Sequence, residues 1–177
     1  KINRSEEKGR LKIGNENLDY DQVILATHAD QSLNLLENPS EDEKRILEKF
    51  KYVPNTAVLH TDENLMPKRK VAWSSWNSIS KNSKTCVTYW LNNLQNLKLE
   101  SNYFLTLNPI NQIEEGKILN KVNFTHPFFN SETIKYQNEL SSLQGKKRTW
   151  YCGAYFGYGF HEDGLKSAID IIKNFEK

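Results

Sequence analysis

The chain has 177 residues, 37% of them hydrophobic and 11% aromatic, enough for one ordinary domain or two small ones around a sizeable core. Its 24 Lys and Arg against 22 Asp and Glu leave a net charge of +2, which offers no electrostatic footprint for nucleic acid. No apolar run is long enough to span a bilayer and the opening "KINRSEEKGR" lacks a signal-peptide core, so a cytoplasmic protein is expected.

"GRLKI" and "YDQVILAT" read as short adjacent strands separated by a polar turn, "GNENLD". "VILA" is apolar throughout, the pattern of a strand covered on both faces as in a parallel sheet, and "HADQSLNLL" continues with helical spacing through Leu33 and Leu36. After Pro39, Ser40 and Glu43 form a capping box ahead of Ile46, Leu47 and Phe50, which marks a helix start. From Tyr52 the character becomes β: "TAVLHT", "KVAWSSWNS", "KTCVTYWLN" and "NYFLTLN" are separated by Asn, Asp, Pro and Ser clusters and suggest an antiparallel sheet, with "ILNKVNFTH" as a further strand. "NSETIKYQNELSSLQG" predicts a helix capped by Asn130 or Ser131 and stopped at Gly145. "RTWYC" is the next strand, leading into a glycine-rich turn and a last amphipathic helix.

Within the β segment, "PKRK" (67–70) reads first as a solvated turn and second as a binding patch. Cys86 and Cys152 make no ligand spacing and fit a reducing compartment. The order of elements is α/β, then a largely β insert, then α/β again, so the expected fold is α/β with a β-rich insert (α+β). The segments are 1–51, 52–129 and 130–177. The only methionine is Met66, and the chain opens on what reads as the tail of a strand, so a longer protein is expected to continue N-terminal to Lys1.

Four of the eight glycines, Gly153, Gly157, Gly159 and Gly164, fall within twelve residues at the last strand-to-helix turn. Glycine is favoured where backbone adopts unusual dihedrals or another group approaches closely, and the helix that follows presents unpaired N–H groups and a positive dipole end. A large, flat or anionic ligand is the first expectation. The turn is not the dinucleotide fingerprint GxGxxG, because the third glycine position holds Glu162, and that fingerprint occurs nowhere else in the chain.

"DQVILATHADQSL", "AVLHTDENLMP", "AWSSWN", "VTYWLNNLQ" and "WYCGAYFGYGFHEDGLKSA", in this order, resemble the C-terminal part of the flavin-containing amine oxidoreductase family, in its bacterial NAD/FAD-binding-protein branch. The resemblance runs over nearly the whole chain from Tyr20. It implies the C-terminal part of a glutathione-reductase-like FAD-binding domain, residues 1–51 and 130–177, interrupted by a β-rich substrate domain, 52–129. It also implies that Gly153 and Ala154 approach the ribityl and pyrophosphate part of FAD. Gly159, Phe160, Asp163 and Gly164 would lie along its ring, and Ala26 and Thr27 would mark a strand end near the cofactor. A dinucleotide-binding segment with its GxGxxG would lie upstream, and without it the isolated chain is expected to be silent and prone to self-association. Two departures bear on specificity. Where related amine oxidases read "GYMEGA" this chain reads "GFHEDGL", and where many relatives carry an acidic residue after the late-strand glycine it has Ala154.

Trp73, Trp76, Tyr89 and Trp90 fall on neighbouring predicted strands and either line a flat apolar pocket or pack as ordinary sheet core; Tyr155, Phe156 and Tyr158, among the glycines, either pack on flavin or anchor the loop. The expected substrate pocket is Trp73, Trp76, Tyr89 and Tyr158. His161 with Glu162 reads as a cap before it reads as an acid/base pair, and His28 either orients a ligand or caps the next helix. His60 and His126 sit in strand patterns as structural histidines. No metal-ligand spacing is present, and no catalytic residue is assigned. The leading expectation is an FAD-dependent oxidoreductase taking a hydride from an amine or an unsaturated lipid-like substrate, the latter because the resemblance carries an association with cyclopropane fatty acid synthesis. The alternative is a non-catalytic flavin-fold module acting with a lipid-modifying enzyme.

Overall fold

A computed structural model describes residues 1–82 and 84–175. In chain order they form β1 (Ile2–Arg4), β2 (Gly9–Ile13), β3 (Glu16–Tyr20), β4 (Val23–Leu25), α1 (Ala29–Leu35), α2 (Glu41–Leu47) and β5 (Lys51–His60). They continue with β6 (Trp76–Lys81), β7 (Lys84–Trp90), α3 (Leu91–Leu94), β8 (Phe104–Leu107), β9 (Ile118–Phe128), α4 (Ser131–Gln137), β10 (Thr149–Tyr151) and α5 (His161–Phe175). The chain divides into two compact units: Lys1–Val53 with Pro127–Lys177, and Pro54–His126.

In the first unit, β1, β2 and β3 form an antiparallel sheet. The polar stretch read as a turn is mostly strand: the chain reverses at Gly14, whose φ of +58° is open to glycine, and Glu16–Tyr20 then pair back along β2. Every β3 side chain is exposed, so no apolar alternation marks this strand in the sequence. β4 and β10 pair in parallel, with Val23, Ile24 and Leu25 opposite Thr149, Trp150 and Tyr151. Val23, Leu25, Thr149 and Tyr151 are buried on one face, whereas Ile24 on the other is 49% exposed, so "VILA" is covered on one face and not on both. Leu25 and Tyr151 share a core with Ile46, Leu47 and Phe50 of the α2 region.

Ser40 caps α2 as its spacing predicts, accepting from the Glu43 N–H while the Glu43 carboxylate accepts from the Ser40 N–H at 2.7 Å. That carboxylate also takes Arg4 in a two-pronged pair, Nη1 to Oε1 at 2.5 Å and Nη2 to Oε2 at 2.8 Å, and the Tyr151 hydroxyl at 2.6 Å. Burial alone would raise the Glu43 pKa; hydrogen bonds from Arg4, Tyr151 and Ser40 outweigh it and hold the carboxyl at about 2. One carboxylate thus joins β1, α2 and β10.

The predicted helix over 130–145 is shorter. Asn130 caps it, accepting from Thr133 N–H at 2.8 Å, but α4 ends at Gln137 and a 3₁₀ turn spans Leu140–Leu143. Leu140 and Leu143 are both buried, and the three-residue repeat of the tighter helix puts them on one side.

The second unit is built on a sheet of order β6-β7-β8-β5-β9, in which β6, β7, β8 and β5 are successively antiparallel. "KVAW" is not strand: Lys70–Ala72 form a 3₁₀ turn pinned where the Trp73 indole N–H donates to Pro67 O at 2.8 Å, and β6 starts at Trp76. Register puts Cys86, Thr88, Phe104, Thr106, Val58 and His60 on one buried face. That face carries a line of hydrogen bonds: Asp62 N–H to His60 Nδ1 at 3.1 Å, His60 Nε2 to Thr106 Oγ1 at 2.7 Å, and Thr106 to Thr88 hydroxyl at 2.9 Å. Because Nδ1 accepts, the neutral ring carries its proton on Nε2 and donates to Thr106. Burial, opposed by Asp62, pushes the His60 pKa down.

Candidate functional site

β4 and β10 end side by side and in the same sense, the pairing extended where Cys152 N–H donates to Leu25 O at 3.1 Å. The residues just past these ends are Ala26 and Thr27 on one strand and Gly153 and Ala154 on the other. They line a cleft of about 320 Å³ with His28, Gln31, Tyr52, Pro127 and Tyr155, in the first unit. The crevice beyond the carboxyl ends of parallel strands is where open α/β sheets bind ligands. Two of the four strand-end residues are alanine and one is glycine, so these ends project little side chain into the cleft.

One side of this cleft is aromatic. The His28 ring stacks on Tyr52, centroids 4.1 Å apart and planes 11° from parallel, while His28 also stands at the N-cap of α1. The Tyr52 hydroxyl accepts from Ala29 N–H at 2.9 Å, tying this ring to the helix start, and burial pushes its pKa up to about 12. Burial likewise raises the Tyr155 phenol well above its ordinary value, so both tyrosines enter the site neutral.

At all four clustered glycines, the group that approaches the backbone belongs to the chain itself. Gly153 has φ +154°, a glycine-only conformation, and a Cβ there would stand 2.8 Å from Tyr155 Cε1. At Gly157 a Cβ would overlap the Asp163 side chain, and at Gly159, with φ +92°, it would meet Phe129 Cε2 at 3.1 Å. At Gly164 it would meet Ala154 N at 3.6 Å, so α5 begins directly on the backbone of the strand end. The Asp163 carboxylate accepts from Tyr158 N–H at 2.9 Å and Phe160 N–H at 3.0 Å, placing an anion of the chain at the positive end of α5. Gln137 Nε2 donates to the carbonyls of Tyr155 and Gly157, and Ser167 Oγ accepts from Gly153 N–H at 3.0 Å. The turn is held in shape by its own polar groups.

Ala26, Thr27, Gly153 and Ala154 therefore come together, with Gly164 packed against the last two. Gly159, Phe160 and Asp163 lie in the adjoining turn, where Phe160 and Tyr158 are 69% and 74% exposed. The aromatic residues of the second unit do not form one group. Trp76 and Tyr89 are cross-strand partners with rings 5.9 Å apart, whereas Trp73 packs on Trp90 at 5.3 Å and Phe104 at 5.7 Å against the opposite face of the sheet. Tyr158 belongs to the first unit. His161 and Glu162 are exposed, Glu162 lying 3.9 Å from Lys166. Among the described residues no group of three or more His, Cys, Asp or Glu could hold a metal ion, and no helix is long and apolar enough to cross a membrane. Sequence reasoning missed Gln31 and Tyr52 as cleft residues and Gln137 as the clamp on the turn, because an isolated glutamine or tyrosine carries no positional signal, whereas Tyr155, one of the rings among the glycines, does line the cleft.

No protein-family model and no curated protein matches the sequence. Solved structures do. A CLA-producing fatty acid isomerase from P. acnes is 14% identical with a TM-score of 0.66, over 98% of this chain and 46% of that one. A putrescine oxidase is 10% identical with a TM-score of 0.60, over 98% and 47%. Cyclohexylamine oxidase from Brevibacterium oxydans IH-35A is 9% identical with a TM-score of 0.56, over 99% and 48%. The chain spans just under half the length of each of these structures. At such identities the likeness is one of fold: the chain is a mixed α/β structure that has, from end to end, a fold found within these enzymes.

Proposed function

We propose that this chain is part of an FAD-dependent oxidoreductase of the amine-oxidase-like kind, acting on an amine or an unsaturated lipid-like substrate. The observation that carries this reading is the pair of parallel strand ends, Ala26–Thr27 and Gly153–Ala154, opening onto one cleft with the start of α5 against it. FAD, when bound, supplies the hydride-accepting ring. These residues fit such a group: the cleft is at the small end of ligand clefts, roughly 300–1,000 Å³, and it combines small residues at the strand ends with a stacked aromatic wall. Ala26, Thr27, Gly153 and Ala154 would hold it by close backbone approach, with Gly159, Phe160 and Gly164 alongside. The Asp163 carboxylate keeps the turn folded through the Tyr158 and Phe160 N–H groups. A dinucleotide-binding segment outside these 177 residues would complete the site.

The likeness in fold to oxidases and an isomerase supports the reading. Its test is flavin retention in the protein that carries this chain. Gly159→Val and Gly164→Val should yield colourless protein, and His60→Ala, remote in sequence and buried in the second unit's sheet, should retain its flavin spectrum. Yellow protein from either glycine variant refutes the assignment. A second reading, a flavin-fold module without turnover, is favoured by one feature: the cleft lining contains no carboxylate and no lysine. Substrate-dependent bleaching of bound flavin separates the two.

A further inference from the structure

The loop joining β5 to β6 carries three consecutive cations, Lys68, Arg69 and Lys70, all exposed, followed by Val71, which at 92% is the most exposed large apolar side chain among the described residues. Neither feature by itself marks a binding surface, because charge runs are commonly solvated and single exposed apolar residues are ordinary. What sets this loop apart is that it is tied by its own hydrogen bonds and has apolar company. Trp73 N–H donates to Lys70 O at 3.0 Å, the Trp73 indole to Pro67 O, and Ser74 and Asn77 bond reciprocally at 3.1 and 2.6 Å. Val71 is thus displayed on a pinned 3₁₀ turn. Trp76 at the loop's far end is 67% exposed.

The neighbouring connection between β7 and β8 is tied to this region through Asn93 to Ser75 and Asn102 to Glu63, both at 2.7 Å, and it exposes Leu94, Leu99 and Lys98. Against the four cations stand Glu63, engaged with Lys70 at 3.5 Å, and the exposed Glu100. The balance is positive, and the exposed apolar groups belong to the same two loops as the charges.

We propose that these two loops form a docking surface for a membrane leaflet rich in anionic lipid. Cations meet the headgroups, Val71 and the two leucines enter the boundary beneath them, and the exposed indole of Trp76 lies at headgroup depth, where amphipathic rings are favoured. A nucleic acid would use the cations and leave Val71, Leu94 and Leu99 in water; the exposed apolar groups select the lipid. The surface lies within the second unit and stands independently of the flavin reading.

The test is flotation of the full chain with vesicles, which separates bound protein from any that aggregates. Wild-type protein should float with phosphatidylcholine–phosphatidylglycerol vesicles and stay behind with phosphatidylcholine alone, and added salt should weaken binding. Each cation removed should lower partitioning about fivefold, so Lys68→Gln/Arg69→Gln/Lys70→Gln together should lower it about a hundredfold. Val71→Ser should lower it about tenfold through lost apolar burial, at a site too exposed to disturb folding. Failure of the wild-type chain to float with anionic vesicles overturns the proposal, as does a triple variant that floats like wild type. Duplex DNA binding as tight as vesicle binding, with Val71→Ser leaving both unchanged, overturns it as well.

Discussion

Each unit carries a buried polar network, and the two networks are of different kinds. In the first, an ionic cluster of Arg4, Glu43 and Tyr151 draws together segments 39 and 108 residues apart, with the paired side chains only 1% and 4% exposed. In the second, His60, Thr106 and Thr88 form a neutral line within a single sheet face. Removing one partner from a buried ion pair strands a charge, whereas removing one from a neutral line strands a dipole, so the first unit has more to lose from a single change.

The largest effect is therefore expected from Glu43→Ala, which strands Arg4 and takes the acceptor from Ser40 N–H and should cost about 3–5 kcal/mol in denaturant unfolding. Replacing the pair together, Arg4→Met with Glu43→Leu, should cost less than Glu43→Ala alone; an equal or greater cost would show that the charges themselves stabilise the unit. The pH response follows. With its folded pKa at about 2 and an ordinary value of 4.5, Glu43 contributes fully above 4.5, and the contribution, on the order of 3 kcal/mol, is lost as pH falls from 4.5 toward 2.

Thr106→Val removes both bonds of the middle hydroxyl and leaves the His60 Nε2–H without an acceptor, at a cost of about 1–3 kcal/mol. Gly153→Ala should cost a similar 1–3 kcal/mol through its glycine-only backbone, while Gly116→Ala, where a Cβ would meet nothing within 4 Å, should be close to neutral. Equal thermal stability of these two glycine variants would mean that the turn gives way without strain. The smallest effect sharpens the comparison most. Because the His60 pKa lies below its ordinary 6.5 in the folded chain, the unfolded chain takes up the proton first, and stability declines as pH falls below 6.5. Amide exchange at Asp62 and Thr106 should accelerate in that window while exchange at Glu43 and Tyr151 holds until the carboxylate range. Simultaneous loosening of both units would contradict the distinction.

What the sequence determined by itself was local or compositional. The Ser40–Glu43 box, the Asn130 cap, the strand character of "TAVLHT", "KTCVTYW" and "RTWYC", and the concentration of glycine before α5 all depend on residues within a few positions of one another, where backbone sterics and capping act directly. "VILA" does lie in a parallel pair, as its apolar run suggested, but it is covered on one face only, and neither its partner strand nor the register was legible. Tertiary structure alone decided that Glu43 answers to Arg4 and Tyr151 as well as to Ser40. It alone decided that Trp73 and Trp76 serve opposite faces of a sheet, and that Tyr155, Asp163, Phe129 and Ala154 are the groups crowding the glycines. Each of these is a long-range choice of neighbour, set by which side chains fill the same space once distant segments pack, and residue type and spacing along a chain hold no record of it.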